Sequence, residues 1–170
     1  MRIVLPVLIA LSLLVSGCRS LPDPSDGATF VLVRHAEKAA DDPRDPGLTP
    51  EGERRAMRLA GSLHREPVVA VYATPLRRTQ ATAAPVARDH GLATTAYDPA
   101  EGPVPFAARL RAAHRAGTVL VVGHSNTIPA LAAALCECEI APIAESEYGR
   151  RITLHARPDF RVTVDDRREP

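Results

Sequence analysis

The sequence predicts an α/β fold: a three-layer sandwich with a mainly parallel central sheet, helices on both faces and a C-terminal hairpin at the sheet edge. Three observations predict it. Short apolar runs rich in β-branched residues, Phe30 to Val33, Val68 to Tyr72 and Thr118 to Val122, alternate with longer segments of helical period. That alternation implies βαβ units, whose parallel sheet is covered on both faces. The ending departs from it: Arg151 to Ala156 alternates apolar and polar residues, Arg157-Pro158-Asp159 turns, and Phe160 to Val164 alternates again. At 170 residues the chain suffices for one domain with a sizeable core.

The elements follow in order. Met1-Arg2 carries positive charge, and Ile3 to Val15 is apolar except at Pro6 and Ser12, too short to span a bilayer comfortably. Residues 1–17 are therefore expected to be a signal peptide. Val15-Ser16-Gly17-Cys18 resembles the bacterial lipobox, which implies cleavage before Cys18, lipidation of Cys18 and a polar tether over 18–27. The folded domain is expected over 28–165, opening with the strand at Phe30. Thr49-Pro50-Glu51 is a helix start, with a threonine N-cap, proline in the first turn and acids behind it. Ala56, Leu59, Ala60 and Leu63 then share one face. Val68 to Tyr72 reads as a strand, Pro75 to His90 as a helix closed by Gly91, and Leu92 to Tyr97 as a short strand. Pro103 to Ala116 reads as a helix with Phe106, Leu110 and Ala113 inward and Gly117 as its stop. Thr118 to Val122 is the most apolar strand, and Pro129 to about Cys136 a helix of small residues able to pack tightly on a sheet.

Two junctions carry the chemistry. Phe30-Val31-Leu32-Val33 runs into Arg34-His35-Ala36-Glu37, and Val119-Leu120-Val121-Val122 runs into Gly123-His124-Ser125-Asn126. Open α/β sheets bind ligands at the carboxyl ends of their strands. Two histidines delivered there, with arginine beside the first, point to a phosphate. A neutral His35 imidazole can attack phosphorus, and arginine offers forked donors matched to phosphate oxygens.

The motifs resemble a known family. Val33-Arg34-His35-Ala36-Glu37-Lys38 resembles the RHG signature of the histidine phosphatase superfamily, also called phosphoglycerate mutase-like, with Ala36 in the usual glycine position. Thr74-Pro75-Leu76-Arg77-Arg78-Thr79-Gln80-Ala81-Thr82-Ala83 resembles that family's S-P-L-x-R-A-x-Q-T-A segment, and Val122-Gly123-His124-Ser125-Asn126-Thr127 its second-histidine motif. The resemblance implies a phosphomonoester hydrolase working through a phosphohistidine at His35, with Arg34, Arg78 and His124 holding the phosphate. Arg77 lies about 100° around the helix from Arg78 and is expected on a solvated face. The leaving group needs a proton, usually from a carboxylic acid. In many relatives this acid follows the third strand, which points first to Asp98 and then to Glu101, with Glu37 in the catalytic loop as the third candidate.

Other features stay quiet. Lys38, Asp41, Asp42, Arg44 and Asp45 form a charged, proline-broken loop expected to be solvated surface. Ser125 and Asn126 are placed to orient His124 or bond phosphate. Cys136 and Cys138 are too few for a zinc site; an oxidising compartment would let them react together, though a C-x-C disulfide closes a very tight loop, so they are expected to be helix-end residues without catalytic duty, their redox state left open. No cofactor or metal is required. The formal charge is +1, and the one lysine among 21 basic residues reflects composition more than function, so a nucleic-acid partner is not expected. The implied partners are a small-molecule or glycan phosphoester and, through the anchor, a membrane. The implied location is the bacterial cell envelope, facing the periplasm or exterior. The rivals are an envelope lipoprotein that binds phosphate without turnover and a phosphoglycerate mutase-like phosphotransferase.

Overall fold

The structure is a computed structural model that describes residues 27–157 and 161–168. The leader, Cys18 and most of the tether lie outside the described residues, as does the middle of the final turn at 158–160.

Six strands form one mixed sheet in the order β3-β2-β4-β1-β5-β6. The parallel part is β1 (Ala28–Arg34), β2 (Val68–Ala73), β3 (Thr94–Ala96) and β4 (Gly117–Gly123), with β1 and β2 flanking β4 and β3 on the outside. The hairpin of β5 (Arg150–Ala156) and β6 (Val162–Arg168) closes the other edge, with β5 antiparallel to β1. The sequence places a hairpin at a sheet edge; the structure adds that it is the β1 edge.

Among the described residues four α-helices cover the sheet: α1 (Pro50–Leu63), α2 (Arg77–Asp89), α3 (Pro103–Ala113) and α4 (Ile128–Cys136). Successive strand residues point to opposite faces. Phe30, Leu32, Val119 and Val121 accordingly pack with Phe106, Leu110, Leu131 and Leu135 of α3 and α4. Val31, Val33, Leu120 and Val122 pack with Leu59, Leu63, Ala83 and Val86 of α1 and α2. Each fully buried leucine or valine in these layers stabilises the fold by roughly 1.5–3 kcal/mol.

Helix α1 starts as its sequence predicts: the Thr49 hydroxyl accepts from the Gly52 amide at 3.1 Å, Pro50 opens the helix, and Glu51 and Glu53 sit in its first turn. Helix α2 begins at Arg77, later than expected, because Leu76 keeps an extended backbone (φ −79°, ψ 143°). Helix α3 ends at Ala113, where His114 turns extended; Ala113 is exposed, and Ala107 joins Phe106 and Leu110 inside instead. Gly117, expected as that helix's stop, opens β4 with φ 79°.

Cys136 and Cys138 are bonded to each other, a pairing the sequence left open. Glu137 between them adopts the left-handed conformation (φ 55°) at the end of α4 and folds the chain back, bringing the two Cα atoms to 5.2 Å.

Candidate active site

Strand register builds the site. Arg34 pairs with Gly123 across the parallel β1–β4 ladder, so the residues that follow, His35 and His124, emerge side by side at the carboxyl ends of neighbouring strands. The His35 amide donates to the Gly123 carbonyl at 2.9 Å and closes the ladder. The two imidazoles meet edge to face with centroids 5.5 Å apart.

His35 is 3% exposed, and its Nδ1 lies 2.8 Å from the Ala36 carbonyl. A carbonyl only accepts, so Nδ1 carries the proton and Nε2 keeps its lone pair. Burial pushes the His35 pKa down to about 4 against the opposing Ala36 bond, with Arg34, Arg78 and His124 adding to the lowering. His124 is pushed down to about 4 as well, by burial first and then by Arg78 and Arg34. Both rings are therefore neutral at pH 7. The Thr74 hydroxyl, at the end of β2, sits 3.0 Å from Nε2 of His124 and fixes that ring. Helix α2 braces the same loop: the Thr82 hydroxyl accepts from the Ala36 amide and donates to the Arg78 carbonyl.

Arg34 is 2% exposed and spans two roles. Its Nη1 donates to the carbonyls of Ala144, Glu145 and Glu147, its Nη2 donates to Glu145 Oε2 at 2.9 Å, and its guanidinium stacks over Tyr148. Its Nε has no partner. Arg78 lines the same cleft and buries an Nε in the same condition; among the described residues these are the buried side-chain polar atoms left unpaired. Two orphaned guanidinium N–H groups beside a nucleophile-ready imidazole are the donors a phosphate would satisfy. Arg77, by contrast, is exposed and engaged by Asp41 and Asp45.

The cleft encloses about 650 Å³, and besides the two histidines and two arginines its walls include Lys38, Ser125, Asn126 and Glu145. None of the three carboxylates expected as the acid is among its lining residues. Asp98 accepts from the Ala100 amide at 2.8 Å and caps a short 3-10 turn, Pro99–Glu101. Glu101 is bound by Arg109. Glu37 turns away to the fork of Arg55; partial burial would raise its pKa, but Arg55 overrides this and holds it low. The carboxylate at the cleft is Glu145, which the sequence did not single out. Thr74, Thr82 and Tyr148 also escaped notice as supports of the site.

The charged loop is more ordered than a solvated surface. Asp42 accepts from the Arg44 and Asp45 amides, and Asp41 accepts from the Gly47 amide. Asp45 in turn lies 3.9 Å from Arg78, a weak tether on that side chain.

Residues 30–102 match the sequence profile of the histidine phosphatase superfamily (branch 1), the segment that supplies His35 and Arg78. Over that segment the chain resembles the histidine phosphatase superfamily. That match and the geometry of the site together support a phosphatase. Solved structures share the fold at low identity. The mycobacterial glucosyl-3-phosphoglycerate phosphatase superposes with a TM-score of 0.68 at 16% identity, covering 85% of this chain and 100% of that one. The protein histidine phosphatase SixA, complexed with tungstate, gives 0.66 at 19% identity, covering 82% and 96%. The phosphoserine phosphatase of Entamoeba histolytica, in complex with 3-phosphoglyceric acid, gives 0.64 at 15%, covering 84% and 98%. No curated protein matches the chain by sequence.

Proposed function

We propose that this phosphatase hydrolyses small phosphomonoesters outside the cytoplasm through a phosphohistidine at His35, while a lipid on Cys18 holds it at a membrane surface. The observation that carries the chemistry is the locked His35 tautomer beside two buried, unpartnered guanidinium N–H groups. In the first step Nε2 of His35 attacks phosphorus and the P–O bond to the alcohol breaks. Arg34, Arg78 and His124 hold the equatorial oxygens, and their donors act more strongly in a cleft drier than bulk water. In the second step water attacks the phosphohistidine and inorganic phosphate leaves. A cleft of this size suits a small phosphorylated molecule, as do the substrates named for the glucosyl-3-phosphoglycerate and phosphoserine phosphatases that share the fold.

The Cys136–Cys138 bond supports an oxidising location, since such bonds persist outside the cytoplasm. The apolar leader and Val15-Ser16-Gly17-Cys18 support the anchor.

Rapid acid quench after mixing with labelled aryl phosphate tests the mechanism. It should trap an adduct that is acid-labile and alkali-stable, and His35→Ala should abolish both adduct and turnover. An alkali-labile adduct would transfer the role to a hydroxyl or carboxylate. Binding of phosphate without release of the aryl alcohol would make the protein a phosphate-binding lipoprotein. Fatty-acid labelling that survives Cys18→Ala would sink the assignment of Cys18 as the lipidated residue.

A further inference from the structure

A phosphohistidine mechanism leaves one need unmet: a proton for the leaving oxygen, with Asp98, Glu101 and Glu37 all held elsewhere. We propose that Glu145 is the proton donor to the leaving group and the base that activates the hydrolytic water. This assignment rests on the phosphohistidine reading above.

Its placement argues for it. Glu145 lines the same cleft as His35, Arg78 and His124. One carboxylate oxygen binds Arg34 Nη2 at 2.9 Å and the other takes the hydroxyl of Ser125, next to His124. Its backbone is held too, because Arg34 Nη1 donates to the carbonyls of Ala144, Glu145 and Glu147. The carboxylate is thus fixed to a phosphate-binding arginine on one side and to the second-histidine loop on the other. Its side chain is 78% exposed, so it exchanges protons freely with water.

Before substrate binds, Glu145 is an anion: the Ser125 hydroxyl and Arg34 hold it below the usual carboxylate range. A docked phosphoester changes that balance. Its dianion competes for the Arg34 guanidinium and sets a second negative charge beside the carboxylate, and like charges in one site favour protonation of one of them. Glu145 then takes a proton from solvent. As His35 Nε2 bonds to phosphorus, the P–O bond breaks and the Glu145 proton passes to the leaving oxygen, which departs as the alcohol. The resulting carboxylate removes a proton from water as its oxygen attacks phosphorus. The P–N electron pair returns to His35, phosphate leaves and Glu145 is protonated again.

The test compares leaving groups in a single turnover. Wild type and Glu145→Gln are mixed with an aryl phosphate of acidic leaving group and with an alkyl phosphate, and release of the first equivalent of alcohol is timed. The amide can keep a bond to Ser125 but has no acidic proton to give. Expected for the variant is a 10²–10⁴-fold slower alkyl release against an aryl release slowed by no more than about tenfold, followed by accumulation of phosphoenzyme. A parallel loss on both substrates would make Glu145 a positioning residue for Arg34 and overturn the proposal. No loss on either would also overturn it. Failure of wild type to form any phosphoenzyme would instead sink the phosphohistidine reading, so the two failures are distinguishable.

Discussion

Helix propensity and tertiary structure make opposite forecasts for Gly52→Ala. In an exposed helix interior, alanine is favoured over glycine by about 1 kcal/mol. Gly52, however, is the point where α1 touches the catalytic loop. A Cβ there would lie 2.4 Å from the Glu37 carbonyl oxygen, 3.1 Å from the Glu37 amide nitrogen and 3.2 Å from Leu48 Cβ. The first contact is about 1 Å short of ordinary packing, and a backbone atom cannot rotate away. Overpacking of this kind costs up to about 3 kcal/mol, so the net loss is about 2 kcal/mol after the propensity gain. For a domain of this size that lowers the melting temperature by roughly 6–10 °C. The strain falls two residues from His35, and a 1 Å displacement of a reacting group can cost about 10²-fold in rate. On the same helix, a Cβ at Gly61 would meet nothing within 4 Å, so Gly61→Ala should gain about 1 kcal/mol with full activity. Thermal melts and aryl phosphate turnover of both variants decide the matter. A Gly52→Ala protein more stable than wild type and fully active would refute the reasoning.

Four further outcomes follow from the geometry. In the ligand-free protein His35 and His124 should show no NMR titration between about pH 5.5 and 8, because burial keeps both near 4; midpoints near 6.5 would contradict this. The same depression means the unfolded chain takes up protons that the folded one refuses, so His35 alone should cost up to about 3 kcal/mol of stability as pH falls from about 6.5 to about 4, seen as a falling urea midpoint. Arg150→Met should lose about 2–3 kcal/mol in chemical denaturation, since buried Arg150 binds Asp166 through two N–H groups and also ties down the Ala141 and Pro142 carbonyls; a change under about 0.5 kcal/mol would show the network to be idle. Asp98→Asn should leave alkyl phosphate hydrolysis within about twofold of wild type, because asparagine caps the 3-10 turn as well as aspartate; a 10²-fold selective loss would return Asp98 to the role of acid.

What could be read in the sequence was whatever local chemistry decides. Thr49-Pro50-Glu51 announced α1 because the cap, the proline and the acids act within one turn. The two histidine junctions were visible because each is a strand followed at once by its polar residues. Arg78 could be told from Arg77 by helical angle and motif spacing. Glu145 carried no such signal. It sits in an irregular stretch between α4 and β5 and reaches the cleft only because β5 pairs antiparallel with β1, which brings the residues before Arg150 to the end where Arg34 lies. Nothing local reveals which edge of the sheet a C-terminal hairpin will join. Asp98's surroundings were hidden for a related reason: position after the third strand says which loop a carboxylate belongs to, and the cap it forms is decided by Pro99 and Ala100. The Cys136–Cys138 bond depended on a left-handed Glu137, a conformation its residue type does not advertise.

The direction of β1 fixes an orientation for the whole molecule. The chain enters the sheet at Gly27, so close to β5 that a Cβ there would lie 2.2 Å from the Ala156 carbonyl oxygen, and it delivers Arg34 and His35 at the far end of the strand. Seven residues of strand separate the two ends by roughly 20 Å. If Cys18 carries a lipid, the tether joins the domain at the end opposite the mouth of the cleft. The nine residues from Arg19 to Gly27 reach up to about 30 Å, more than the length of β1, so such a tether would let the cleft face either the aqueous side or the membrane. A dissolved phosphoester and a phosphorylated headgroup of the anchoring leaflet would then both be within reach.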